Sequence, residues 1–357
     1  MKVILSPQWA IAPPNGNNDP VDATLLIQLL SRIETEGSIA AAGRIMNMSY
    51  RHAWGILRDA EIFFGSKLIV KRPGKGTDLS ELANVLIQAD RRFSARLAPT
   101  LESLASELEA ELRKVLPFKR EAIRLFASHG FAVETLLALI KKEGALIEVR
   151  YRNSSEALAA LANNECQLAG FHVPIGEFEE PVLKQYQKWL TPDYALIQVA
   201  TRRQGLFIAR GNPHGINGLK DLARKDIRFV NRQAGSGTRM LVEMMLQRCH
   251  ICPQDIHGFE TAEFTHAAVA AYIASGMAEV GFGVETAAQR FNLHFIPLAI
   301  ERYFFATKAL NLDLAGIEQL IALMKSDAFR QSAKALEGYD ASEAGNVLTV
   351  HAAFNEA

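Results

Sequence analysis

A short apolar stretch, Ile227-Arg-Phe-Val230, runs into Asn231-Arg-Gln-Ala-Gly-Ser-Gly-Thr-Arg239 and then into the apolar run Met240-Leu-Val-Glu-Met-Met-Leu246. That order predicts a strand at 227–230, a glycine-rich turn and a helix, the connection of a layered α/β domain. A helix start leaves backbone N–H groups without internal partners and carries partial positive charge. Glycines let that backbone come close to a ligand, and hydroxyls add donors. Gly235, Ser236, Gly237, Thr238 and Arg239 are therefore the first candidate ligand-binding residues, and the ligand they suit is a small anion.

Past Pro117 the pattern alternates between strands and helices. Strands are predicted at 122–127, 146–151 and 167–172, with helices at 131–142 and 155–163 between them. In a doubly wound layout of this kind, ligands sit beyond the carboxyl ends of the strands. Ser128 and His129 follow the first strand, and Ser154 and Ser155 follow the second. Thr265 and His266 precede a helix predicted at 267–274. These six join the candidate ligand-binding set. His172 reads as a structural histidine, and Glu285 would oppose an anion. Strands at 196–200, 205–209, 279–283 and 293–297 describe a crossing to a second lobe and a return. The expected architecture is a two-lobed α/β clamshell.

The first 79 residues read differently. Leu25, Leu26, Leu29, Leu30 and Ile33 recur at helical spacing, and Gly37 ends that helix. Ser38 can cap a second helix through Ile45, and Ser49 a third to about Phe64. A strand at 67–72 and a basic turn at 73–76 follow. Three short helices, a strand and a basic turn make a winged helix-turn-helix, whose third helix enters the DNA major groove. From Ser38 to Gly76 the chain carries Arg44, Arg51, Arg58, Lys67, Lys71, Arg72 and Lys75 against only Asp59 and Glu61. That excess fits a nucleic-acid footprint. Candidate DNA-binding residues are Ser38, Arg44, Ser49, Tyr50, Arg51, His52, Arg58, Lys71, Arg72 and Lys75. Trp54, Ile56, Leu57, Ile62 and Phe63 are assigned to the core, and Val3-Ile-Leu5 to an extra strand beside the wing.

From Ser80 an apolar stripe runs through Leu82, Val85, Leu86, Phe93, Leu97, Leu101, Leu104, Leu108, Leu112 and Val115. Such a stripe calls for a partner helix, and a two-fold dimer reads two half-sites. Pro99 predicts a kink or a break. The expected division is 1–79 for the DNA reader, 80–117 for a dimerisation and linker helix, and 118–357 for the ligand-binding clamshell. A homodimer is expected, with a dimer of dimers as an open further level.

Several function classes are set aside. The 39 basic and 39 acidic residues balance, so the whole chain is not a polyelectrolyte. No segment approaches the roughly 20 apolar residues that span a bilayer, and no membrane partner is expected. Cys166, Cys249 and Cys252 make no disulfide framework, so the expected compartment is cytoplasmic. The Cys249–Cys252 pair lacks the second ligand pair of a zinc site, so no metal is expected. The glycine-rich turn has neither the lysine ending of a P-loop nor a nucleophile elbow. No cofactor motif is present, and the expectation is a binding protein, not an enzyme.

Two family resemblances add to this. Gly37-Ser-Ile-Ala-Ala-Ala-Gly-Arg44, Met48-Ser-Tyr-Arg-His-Ala-Trp54 and Phe64-Gly-Ser-Lys-Leu-Ile-Val70 resemble the N-terminal domain of ModE regulators, relatives of the LysR-type winged helices. The runs 205–215 and 228–239, Thr265-His266 with 268–271, and 278–283 resemble the PBP-like domain associated with molybdate or tungstate. The resemblance implies an allosteric DNA-binding regulator with molybdate or tungstate as effector. In place of the usual C-terminal molybdate modules of ModE stands the clamshell. A sulfur oxyanion, a short carboxylate, or a cytosolic anion-storage role are the alternatives.

Overall fold

The computed structural model describes residues 3–12, 20–72, 76–115, 122–143 and 147–354, with backbone alone for 71, 72, 76, 113 and 114. The chain divides into two compact units, Ser6–Ser94 and the remainder.

In the smaller unit, β1 (Ala10–Ile11) pairs antiparallel with β2 (Val21–Asp22), which leads into α1 (Ala23–Glu36). The Asp22 side chain caps α1 by accepting from Leu25 N–H, and Gly37 ends it at φ +66°, where a side chain would be strained. Ser38 caps α2 (Ile39–Ile45) and Ser49 caps α3 (Tyr50–Phe64), each through its hydroxyl oxygen. The periodic apolar faces meet in one core built on Leu26, Leu29, Leu30, Ile33, Ala42, Ala53 and Leu57. A hairpin follows, β3 (Ile69–Arg72) against β4 (Gly76–Leu79), and Thr77 N–H donates to the Gly37 carbonyl (3.0 Å). Two expectations need correction. Val3-Ile-Leu5 forms no strand, and the extra pairing is that of β1 with β2. Ile62, assigned to the core, is 72% exposed, because it lies on the far face of α3 from Leu57 and Ala60.

The helix α4 (Glu81–Val115) runs unbroken through Pro99. Ala95 onward belongs to the larger unit. There the chain forms β5 (Ile123–Ala127), α5 (Phe131–Glu143), β6 (Ile147–Tyr151), α6 (Ser154–Ala162), β7 (Leu168–Pro174) and α7 (Glu179–Tyr186). Next come β8 (Tyr194–Ile208), β9 (Phe229–Arg232), α8 (Gly237–Arg248), β10 (Ala262–Glu263), α9 (His266–Ala274), β11 (Val280–Val284) and α10 (Glu285–Arg290). The chain closes with β12 (His294–Lys308), α11 (Ala315–Lys325), α12 (Asp327–Lys334), β13 (Tyr339–Asp340), β14 (Val347–Thr349) and α13 (Val350–Phe354).

Among the described residues one ten-stranded sheet runs in the order β10-β9-β11-β8-β12-β7-β5-β6, with β13 and β14 added on β8. The strands β6, β5 and β7 are parallel and form one lobe, whereas β10, β9 and β11 are parallel and form the other. The two lobes share the antiparallel pair β8 and β12. Each of these strands has 15 residues, about 50 Å of extended chain, so each crosses from lobe to lobe. Sequence reading split β8 into 196–200 and 205–209, because Thr201-Arg-Arg-Gln204 interrupts the apolar run, and placed only 293–297 of β12 in a strand. Their register shifts fall between Pro297 and Ala299 and between Tyr303 and Phe304, and such bulges bend a strand locally. Between the bulges, Glu301 lies directly across from Arg202. β6 is an outer strand, and its Val149 and Tyr151 N–H groups donate to Ser106 Oγ (2.9 Å) and Ser103 Oγ (3.2 Å) of α4.

Candidate functional site

The carboxyl ends of β5, β6, β7 and β9 and the starts of α6, α8 and α9 converge on a partly open cleft. Each helix start is fixed by a local cap. Asn153 and Glu156 form a reciprocal capping box on α6. Ser236 Oγ accepts from Arg239 N–H on α8, and Thr265 Oγ1 accepts from Ala268 N–H on α9. These three helices have 9, 12 and 9 residues, so each presents its remaining free N–H groups and positive dipole end to the cleft. Gly235 turns the chain at φ +80°, and a Cβ there would come within 3.1 Å of the Asn153 amide nitrogen. The turn of one lobe therefore approaches the α6 cap of the other closely.

Of the candidate ligand residues, Ser128, His129, Ser154, Ser236, Gly237, Thr238 and His266 line the cleft. The other four do not. Arg239 turns away, because its guanidinium pairs with Glu243 (2.8 Å) and Glu260 (3.0 Å) and lies over the Phe259 ring. Thr265 is occupied as a cap and also donates to the Ala95 carbonyl (3.1 Å). Ser155 sits one residue inside α6, behind Ser154, and Gly235 serves the turn.

The sequence reading missed the residues that set the cleft's charge. Arg202 and Gln204 on β8 both donate to Glu301 Oε1 on β12, and Gln204 Nε2 also donates to Thr238 Oγ1 (3.2 Å). Arg202 is 4% and Glu301 2% exposed, so this is a buried, mutually neutralising pair. Burial works against the charge of Arg202, but pairing with Glu301 prevails and raises its pKa above the ordinary arginine range. Arg232, at the end of β9, is also 4% exposed. Among the described residues its guanidinium has no carboxylate partner. One Nη2 bond reaches the Phe264 carbonyl (2.9 Å), and Nε has no partner. Burial, and then repulsion from Arg202, push its pKa down to about 9.

Three histidines line the same cleft. Burial first, and the arginine charges second, hold all of them below their usual range, His129 at about 4. At neutral pH they are uncharged imidazoles. His172, set aside as structural, stacks on Tyr303 (4.1 Å between centroids) and has an unpartnered Nε2, while His266 has an unpartnered Nδ1. The cleft thus offers the buried Arg232, the exposed Arg152, whose guanidinium donates to the Tyr151 carbonyl (3.2 Å), neutral imidazoles and free helix N–H groups. Among the described residues no carboxylate lines it, and Glu301 is engaged by Arg202. Arg232 was legible as a polar residue but was placed in the turn, since the strand was read as ending at Val230. Its true end is set by pairing with β10, a non-local contact.

In the smaller unit, Ser38 and Ser49 are capping residues, and Arg44, Tyr50, Arg51 and His52 are exposed. Arg58 is exposed and pairs with Asp59 (3.1 Å). The side chains of Lys71 and Arg72, and the whole of Lys75 with the turn at 73–75, lie outside the described residues. No described helix is long and apolar enough to cross a membrane. Cys249 and Cys252 are free thiols.

The chain is similar to several known proteins. It is 31% identical over 203 residues to the uncharacterized protein YvgK of Bacillus subtilis (strain 168), a match covering 56% of this chain and 64% of that protein. It is 32% identical over 111 residues to an uncharacterized protein in the ferredoxin 2Fe-2S gene 5' region of Clostridium pasteurianum, covering 31% of this chain and 98% of that one. It is 25% identical over 179 residues to the molybdenum transport protein ModE of Azotobacter vinelandii, covering 48% of this chain and 66% of that protein. The chain thus spans slightly less than two thirds of YvgK and of ModE. Residues 137–325, which contain every cleft-lining residue except Ser128 and His129, match the family model described as PBP-like, a PBP superfamily domain, and the chain belongs to that family.

Proposed function

We propose that this protein is a ligand-responsive, DNA-binding transcription regulator that senses a compact oxyanion, molybdate or tungstate, in the cleft between its two lobes. The observation that carries the reading is Arg232, a buried guanidinium without an acidic partner among the described residues. Leaving a buried charge uncompensated is costly, and a bound anion supplies the missing partner. The starts of α6, α8 and α9 add neutral donors around it, a mode of anion binding that needs no further counter-charge. Its similarity to a molybdenum transport protein named ModE favours a metal oxyanion.

The DNA-binding half of the reading rests on α3. Its cap and exposed Tyr50, Arg51 and His52 suit a recognition helix, and the hairpin of β3 and β4 suits a wing. Leu97, Leu104, Leu108 and Val115 are exposed on α4 at spacings of seven, four and seven, which suits a partner helix from a second copy and a homodimer. The division 1–79, 80–117 and 118–357 into reader, linker and sensor belongs to the same proposal.

Calorimetric titration of the full chain tests it, with molybdate, tungstate, sulfate, phosphate and short carboxylates, in the presence and absence of operator DNA. Molybdate or tungstate should bind most tightly, and DNA should change that affinity by the factor by which the anion changes DNA affinity. Tight binding of a carboxylate with no heat from molybdate would replace the effector. Anion binding without any retardation of the protein's own upstream DNA would favour storage.

A further inference from the structure

In an α-helix each N–H donates to the carbonyl four residues earlier. Proline has no N–H, so Pro99 leaves the carbonyl of Ala95 without its helical donor. That carbonyl is taken by another element. Thr265 Oγ1, the N-cap of α9, donates to Ala95 O (3.1 Å) while accepting from Ala268 N–H. The next residue, His266, lines the cleft. Two residues before Thr265, Glu263 is 3% exposed and receives Arg96 of α4 in a two-oxygen grip, with Nε at 2.9 and 2.7 Å. This Glu263 stands directly across from Arg232 in the register of β10 with β9.

On the other side of Pro99 the same helix holds the other lobe. The hydroxyl of Tyr151 donates to Glu102 Oε2 (2.7 Å), and Ser103 and Ser106 receive the β6 N–H groups already described. Tyr151 lines the cleft and packs edge-on against His129 (5.0 Å). Helix α4 is therefore fastened to one lobe just before Pro99 and to the opposite lobe just after it. Of the residues so fastened, Tyr151 lines the cleft, and Val149, Glu263 and Thr265 lie within two residues of the cleft residues Tyr151, Phe264 and His266.

We infer that residues 95–106 of α4 form a strut that sets the separation of the two lobes, with Pro99 freeing the Ala95 carbonyl as its anchor for Thr265. Thr265, Glu263 and Tyr151 are positioning residues that act on the cleft through α4. The strut is a property of the ligand-free chain. Its link to anion sensing rests on the proposed function.

The test is the distance between lobes in the full-length, ligand-free protein. Spin labels are placed at Lys142→Cys and Lys225→Cys, with Cys249 and Cys252 replaced by serine. With Pro99 intact a single narrow distribution is expected. Pro99→Ala restores the helical bond from residue 99 to Ala95 and competes with Thr265. It should broaden or shift that distribution without lowering the melting temperature, which a merely structural proline would not do. Thr265→Val should behave like Pro99→Ala, and Thr265→Ser, which keeps the hydroxyl, should restore the original distribution. If Thr265→Val does not fold, Pro99→Ala decides. A Pro99→Ala distribution that superimposes on the parent's overturns the strut. Calorimetry with molybdate on the same samples reports separately: no heat from the parent protein counts against the proposed effector and leaves the distance result to stand by itself.

Discussion

The cleft and the exposed face of α3 are both rich in arginine and histidine, yet they place these residues in opposite physical situations. Arg51, His52 and Arg58 stand in water, where a charge costs little and can be matched by counterions. Arg202 and Arg232 are 4% exposed and must be matched from within the protein or by a guest. Arg202 is matched by Glu301, and Arg232 lacks such a match among the described residues. A basic residue therefore carries little information about a ligand when exposed and much when buried.

The largest effect should come from disturbing the matched pair. Glu301→Gln leaves two buried guanidiniums facing each other and should cost about 3–5 kcal/mol of stability, read from denaturant midpoints. An unchanged midpoint would mean that the cleft tolerates naked charge, and the contrast with α3 would collapse. Arg232→Met removes the unmatched charge. Anion affinity should fall by about 1.5–3 kcal/mol, while the ligand-free protein melts no lower than the parent. Loss of stability with affinity intact would make Arg232 a structural residue.

Acid offers a third probe. The folded pKa of His129 is about 4 against an ordinary 6.5. A lowered pKa means that the unfolded chain takes up the proton first. The stability His129 contributes is thus complete above about pH 6.5, drains away as pH falls towards 4 and is gone below it. The expected slope amounts to about 2–3 kcal/mol across that window, and His129→Phe should flatten it. The smallest effect on stability is expected on α3. Arg51→Ala should leave the midpoint within about 0.5 kcal/mol. Operator affinity should drop by about 1–3 kcal/mol if Arg51 reads a base, and anion titration should be unaltered.

The same contrast explains what could be read from the chain alone. Local chemistry was legible: Ser38 and Ser49 cap the helices that follow, and Gly37 ends α1 as a left-handed glycine, while Ser236 and Thr265, read as ligand residues, also turn out to cap α8 and α9. Long-range chemistry was not. The pairing of Arg202 with Glu301 joins residues 99 positions apart, and it lets two charged side chains be buried in the middles of β8 and β12. Arg239 entered the candidate set because it adjoins the glycine motif, with pairing to an acid elsewhere left open, and Arg232 was not singled out. A signal against that choice was present, since Glu243 lies one helical turn further on, the spacing of an intrahelical ion pair.

The serines of α4 have one more consequence, for what the sheet can join. An outermost strand with free amides is an open invitation to a neighbouring molecule's backbone. On β6 the amides of Val149 and Tyr151 are already engaged by Ser106 and Ser103, and the opposite border, β10, is only two residues long. Among the described residues neither end of this sheet offers a long row of vacant donors, so chains of this protein should resist polymerising edge to edge along β6 or β10.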